Sequence, residues 1–238
     1  MTQRDQVIFA MRQAGGMLTL GKLKSMLDFS TWKTKTPHKS VNRIVQESPS
    51  FFKVRPGLWA LEECRGRIMK DTGLVANDKK KEQDFSHTYF QGLVVEIGNM
   101  KGMQTYVPNQ DKNKLYIDKP LKTVATLNDV YKFTYDNILR RATTVDVVWF
   151  NERHLPSAFF EIEHSTDIQN SLLKYYDLQD YYAQFYIVAD EVRHRHFDEI
   201  IGRSVFEPIR KRVKFVEYEN LSSQYEAECK LASISAIL

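Results

Sequence analysis

The chain opens on three short stretches whose apolar residues recur every three or four positions, the period of a helix with one buried face. Val7, Ile8, Met11 and Ala14 carry the first, which stops at Gly15-Gly16. Leu20, Leu23, Met26 and Leu27 carry the second, and the polar run FSTWKTKT ends it. Thr36 then offers a capping oxygen and Pro37 a first helical residue that needs no amide hydrogen. Val41, Ile44 and Val45 form the stripe of this third helix. The period shortens at FFKV and LWAL, two short strands around the turn Arg55-Pro56-Gly57. Residues 1–63 are therefore expected to fold as a small α+β domain of three helices and a hairpin, the arrangement of a winged helix.

From Cys64 to Asp84 the period fades and NDKKKEQD brings dense mixed charge, which predicts a solvated linker over 64–84. A second domain, 85–238, begins with a helical stripe of Phe90, Leu93, Val94 and Ile97. Glu96 lies at the margin of that stripe, an acid placed to turn inward. TTVDVVWF and AFFEIEH are apolar runs rich in branched and aromatic residues, as interior strands are. The turn-rich NERHLPS between them predicts an antiparallel pair. The helix-like TDIQNSLLKYYDLQDYYAQ, the strand FYIVAD and a basic amphipathic stretch follow, so a crossover helix and a further strand complete a mixed α/β core.

Charge sharpens this division. The net charge is +4, and residues 1–63 hold ten Lys and Arg against five acids, leaving 24 basic and 25 acidic residues beyond them. The positive excess thus sits in the first domain, which is the candidate for meeting phosphates. In the third helix the apolar stripe turns Lys39, Arg43 and Gln46 to the opposite face with Asn42 on its flank, and Lys53 and Arg55 fall near the hairpin tip. This is the chemistry of a recognition helix and wing, although such faces also serve as solvation or as protein docking surfaces. The two cysteines, Cys64 and Cys229, lack the paired spacing of a zinc or redox site. No apolar run approaches the roughly 20 residues needed to span a bilayer, and the N-terminus lacks the apolar stretch of a signal peptide. A soluble protein of the cytoplasm, associated with the nucleoid, is expected.

The second domain carries the candidate chemistry. Glu161 and Glu163 lie two apart on one strand and share a face, while Phe160 and Ile162 point to the other. Antiparallel pairing brings Asp146 beside Glu161. Buried carboxylates this close repel one another and lose hydration, a conflict that a shared cation relieves. Hard oxygen ligands of this kind suit Mg2+.

Two resemblances add to this reading. TPHKSVNRIVQESPSFFKVRPGLWALEE resembles the HARE-HTH family, a winged-helix module, over residues 3–63. That resemblance implies DNA binding, with sensitivity to base modification. VDVVWF followed by AFFEIEHS resembles the signature of the PD-(D/E)XK nucleases over residues 85–220, with Asp146 as the motif aspartate and Glu161 as the central acid. It implies a restriction-endonuclease-like mixed sheet flanked by helices. It also implies that Asp146, Glu161 and the Ile162 carbonyl bind the metal, that Glu163 acts on water and that Glu96 supports the site. Two positions depart from the pattern: Val145 replaces the usual proline, and Glu163 stands where lysine is usual. Lys174 on the following helix is the candidate substitute cation, but it reads as an exposed helical lysine. His164 is turned away from the acids by strand alternation.

The expected function is Mg2+-dependent, site-specific cleavage of double-stranded DNA of the restriction type. A homodimer would match a palindromic target, with a DNA methyltransferase as companion. The alternatives are a catalytically inactive, nuclease-fold DNA-binding regulator and an RNA-cleaving enzyme.

Overall fold

A computed structural model of the chain describes residues 1–74, 78–164 and 167–235. The chain divides into two compact units: Met1–Asp84 together with Ser222–Leu238, and Phe85–Leu221. Among the described residues no helix is long and apolar enough to cross a membrane.

In the first unit α1 (Gln3–Gln13), α2 (Leu20–Met26) and α3 (Pro37–Glu47) pack around Val7, Met11, Leu23, Val41 and Val45. A short strand β1 (Met17–Thr19) joins the hairpin of β2 (Phe51–Arg55) and β3 (Leu58–Leu61), so the antiparallel sheet has three strands in the order β1-β3-β2. Gly57 makes the hairpin turn at φ +72°, a conformation that favours glycine. Thr36 occupies the cap position of α3 as expected, but its hydroxyl makes no capping bond.

The stretch read as a solvated linker is largely helical. A 3-10 turn over Glu62–Cys64 leads into α4 (Arg65–Thr72), and α5 (Lys79–Met100) begins within the lysine run. Residues 75–77 lie outside the described residues. Only Ile68 and Thr72 of α4 are buried, too few to print an apolar period on so charged a segment.

In the second unit α5 is followed by β4 (Gln104–Tyr106), the two-residue strands β5 (Leu115–Tyr116) and β6 (Lys119–Pro120), and α6 (Asp136–Ala142). Then come β7 (Val147–Phe150), β8 (Pro156–Glu163), α7 (Ile168–Asp177), β9 (Gln184–Ala189), α8 (His194–Ile201) and β10 (Val213–Glu217). Five strands form a mixed sheet ordered β10-β9-β8-β7-β4. β4, β7 and β8 pair antiparallel, whereas β8, β9 and β10 pair parallel. One face of the sheet, with Val148, Phe150, Phe159, Phe185 and Ile187, packs against Leu172 and Tyr175 of α7 and Phe197 of α8. On the other face the Trp149 indole donates to the Val94 carbonyl of α5 at 3.2 Å. The sheet is thus flanked by helices on both faces, as expected for a mixed α/β fold.

The final helix, α9 (Tyr218–Ser235), was not foreseen from the sequence, and its bulk groups with the first unit. Tyr225 lies 3.5 Å from the Thr19 hydroxyl, Lys24 is buried against Glu226, and Ser222 donates to the Pro56 carbonyl at 2.9 Å.

Two glycines let α5 approach its neighbours closely. A Cβ on Gly98 would sit 2.6 Å from the Trp149 indole nitrogen, and one on Gly92 would sit 2.1 Å from the Tyr116 ring. Gly92→Ala is expected to destabilise the protein by about 1–3 kcal/mol, since the added Cβ would overlap the buried Tyr116 ring and force a shift. The urea midpoint of the variant measures this loss, and an unchanged midpoint would show that Tyr116 can move aside.

Candidate active site

The register of the β7 and β8 pair sets Val147 opposite Phe160, so Asp146, one residue before the strand, comes opposite Glu161. Glu161 and Glu163 share the face of Phe159 that α7 covers. All three acids are buried, at 8%, 3% and 9% exposure for Asp146, Glu161 and Glu163. The triad expected from the sequence is thereby brought together.

Each acid has a donor at hand. Asp146 Oδ2 accepts the Ile162 amide hydrogen at 2.8 Å. Ser171 of α7 lies between the two glutamates, donating to Glu163 and within 3.1 Å of Glu161 Oε2. Lys174, one turn further along α7, donates to both oxygens of Glu161 at 2.8 Å and to the Thr144 carbonyl at 3.0 Å. This corrects the expectation of an exposed helical lysine, because only 15% of its side chain is accessible. A long aliphatic stem can lie along an apolar helix flank and carry the ammonium to a buried acid, which periodicity alone does not reveal.

Burial dominates the electrostatics. It pushes the Glu161 carboxyl well above its ordinary pKa, and Asp146 adds to the rise while Lys174 opposes it. The Asp146 carboxyl is raised by burial against the opposing effects of His87 and the Ile162 amide. Burial also raises Glu163, against its hydrogen bond from Ser171.

Helix α5 places two further residues, Gln91 and His87, beside the acids. Gln91, with no exposed surface, donates through Nε2 to Asp111 Oδ2 at 3.1 Å and to the Asp146 carbonyl at 2.7 Å. One turn earlier, His87 Nε2 stands 3.7 Å from Asp146 Oδ1. Glu96 is five residues beyond Gln91 and so about 140° round the helix from it. Its carboxylate accepts the Tyr116 hydroxyl at 2.9 Å. Asp111, in the polar stretch YVPNQDKNK, is 1% exposed. Nothing in the local pattern marks a loop acid as buried, and His87 sits in a run too polar to signal an inward face. His164 lies outside the cluster of acids, with its Nδ1 2.9 Å from the Tyr218 hydroxyl.

In the first unit Lys39, Arg43 and Gln46 are exposed on α3, and Lys53 is exposed on β2. Asn42 is half-buried and its amide oxygen is enclosed without a hydrogen-bond partner. Arg55 is paired with Glu82 at 2.9 Å with 15% of its side chain accessible, so the hairpin tip presents Lys53 more openly than Arg55.

The raised acids fix the sign of a pH effect. Asp146, Glu161 and Glu163 hold their protons more tightly folded than unfolded, so this contribution to stability is gained as pH falls towards the ordinary carboxylate range and lost as it rises. Exposed acids with lowered values, such as Glu62 and Glu63, work in the opposite sense only below that range. Chelator-treated protein is therefore expected to show a higher urea midpoint near about pH 6 than near about pH 8, with the difference reduced in Glu161→Gln. The reverse order would mean that the donors outweigh burial.

The model of the type II restriction enzyme NmeDI C-terminal domain family matches residues 70–237. Over 127 residues the chain is 29% identical to the type II restriction enzyme NmeDI of Neisseria meningitidis serogroup C. That alignment covers 48% of this chain and 35% of the relative, so the chain matches about a third of the relative's length. No solved structure matches the chain. Asp146, Glu161, Glu163, Lys174, His87 and Asp111 all fall inside the matched span, and on its extent the chain belongs to the family of the NmeDI C-terminal domain.

Proposed function

We propose that this chain is a type II restriction endonuclease of the PD-(D/E)XK kind, hydrolysing phosphodiester bonds in double-stranded DNA. The observation that carries this reading is the buried set of Asp146, Glu161 and Glu163 with Lys174 bonded to both oxygens of Glu161. Membership of a restriction-enzyme family supports it from an independent direction. The strand position that usually holds lysine is Glu163, and α7 returns the missing positive charge from Lys174.

Three buried carboxylates offset by one ammonium form an oxygen donor set with excess negative charge, which fits Mg2+. Asp146 and Glu161, with the Ile162 carbonyl, would hold the ion. When bound, such an ion neutralises phosphate charge and lowers the pKa of a coordinated water. Glu163, oriented by Ser171, accepts a proton from the attacking water. Lys174 is held near the acids by Glu161 and the Thr144 carbonyl, and its ammonium offsets charge developing on the phosphoryl oxygens.

The first unit, three helices with a hairpin, supports a winged-helix reading of the HARE-HTH kind. Lys39, Arg43, Gln46 and Lys53 contact DNA in that reading, and modified bases influence target choice. Two copies acting as a homodimer cut both strands, and a companion methyltransferase protects the host.

Cleavage of unmodified and methylated genomic DNA, with Mg2+ or with chelator, tests the proposal. Discrete fragments are expected only with Mg2+, none with Glu161→Ala, and a rate about 10²–10⁴-fold lower with Lys174→Ala. DNA that is retarded on a gel but never cut under any of these conditions would overturn it in favour of a binding regulator. Arg43→Ala is expected to weaken DNA binding and to reduce the slope of log affinity against log salt by about one, measured by anisotropy. An unchanged slope would remove α3 from the DNA interface.

A further inference from the structure

We infer that His87, Asp111 and Asp146 form a second cation position beside Glu161, one that takes a first-row transition-metal dication such as Mn2+ in preference to Mg2+. The inference rests on the reading of Asp146 and Glu161 as a metal-binding nuclease site and adds to that site a nitrogen ligand.

His87 offers Nε2, and Asp111 and Asp146 each offer a carboxylate oxygen, all within 4.8 Å of one another. Bonds of about 2.1 Å put opposed ligands roughly 4.2 Å apart, so the three need to close by less than about 1 Å around an ion. Asp146 has its two oxygens in different surroundings. Oδ2 accepts the Ile162 amide, whereas Oδ1 is the oxygen near His87. The same carboxylate can therefore bridge two positions, with Glu161 on one side and His87 with Asp111 on the other.

Gln91 provides an independent sign. Its amide nitrogen joins Asp111 to the Asp146 carbonyl, yet its amide oxygen is buried without a hydrogen-bond partner. An enclosed, unsatisfied oxygen is costly, and a cation or a water carried by one would satisfy it. Lys114 lies 2.7 Å from Asp111 Oδ1, so a positive charge is already favoured there. With 40% of its side chain accessible, Lys114 can withdraw into solvent when an ion arrives.

The imidazole sets the preference. Mg2+ favours oxygen donors in a strict octahedron, whereas nitrogen ligation raises affinity along the first-row series above it.

The test is Mn2+ alone, added to the full chelator-treated chain without DNA and followed by electron paramagnetic resonance with spin-echo modulation. Bound Mn2+ is expected to show nitrogen-14 coupling from one imidazole, lost in His87→Gln and retained in His196→Gln. Asp111→Asn, which keeps the imidazole, is expected to weaken Mn2+ binding by at least about tenfold and serves as an independent arm should His87→Gln fail to fold. Bound Mn2+ without nitrogen coupling, or coupling that survives His87→Gln, overturns the inference. Mg2+-supported DNA cleavage by the same preparation then separates the two readings. Cleavage that persists and still needs Glu161 leaves the nuclease standing without this position, and failure of both cleavage and Mn2+ binding removes both.

Discussion

Three carboxylates share one enclosed space at the end of β7 and β8, and the surrounding structure is arranged to make that tolerable. Burying a carboxylate among others costs hydration and adds repulsion, and only opposed charge or hydrogen-bond donors offset this. The donors come from separate elements, the Ile162 amide from β8 itself and Ser171 and Lys174 from α7 on one face, while the His87 imidazole of α5 stands 3.7 Å from Asp146. Burial holds all three carboxyls above their ordinary range despite these donors.

The sheet turns this local arrangement into a stable one. β8 pairs antiparallel with β7 and parallel with β9, so both of its edges are satisfied. The apolar residues that alternate with the acids pack into the aromatic layers on either face. Phe159 stacks with Phe185 and Phe160 with Tyr186, while Trp149 packs at a tilt against Phe160. The parallel step from β8 to β9 requires a crossover, and α7 is that crossover. The same connection that satisfies the topology therefore delivers Ser171 and Lys174.

Much of this was legible in the sequence for identifiable reasons. β7 and β8 announce themselves as short apolar runs bounded by a turn, and Asp146, Glu161 and Glu163 stand out because acids interrupt those runs. The three helices of the first unit were legible from their spacing. What escaped was whatever depends on partners distant in sequence. Lys174 looks exposed on its own helix and is largely enclosed where it reaches Glu161 and the Thr144 carbonyl. Asp111 sits in a polar loop that tertiary contacts enclose, and Gln91 and His87 acquire meaning only from the acids they face. The helical content of residues 65–72 and 79–84 was masked by charge on its solvent side, and Glu96, set at the margin of its stripe, accepts the Tyr116 hydroxyl.

The return of α9 to the first unit has a consequence for synthesis. Residues 85–221 form a continuous unit that can complete its contacts as soon as they leave the ribosome. The unit built from residues 1–84 lacks Tyr225, Glu226 and Cys229 until the chain has been made past them, and until then Lys24 has no Glu226 to meet. The acid-bearing unit is thus finished before the basic one, and a proteolytic cut within residues 85–221 divides in sequence the two segments that make up the first compact unit.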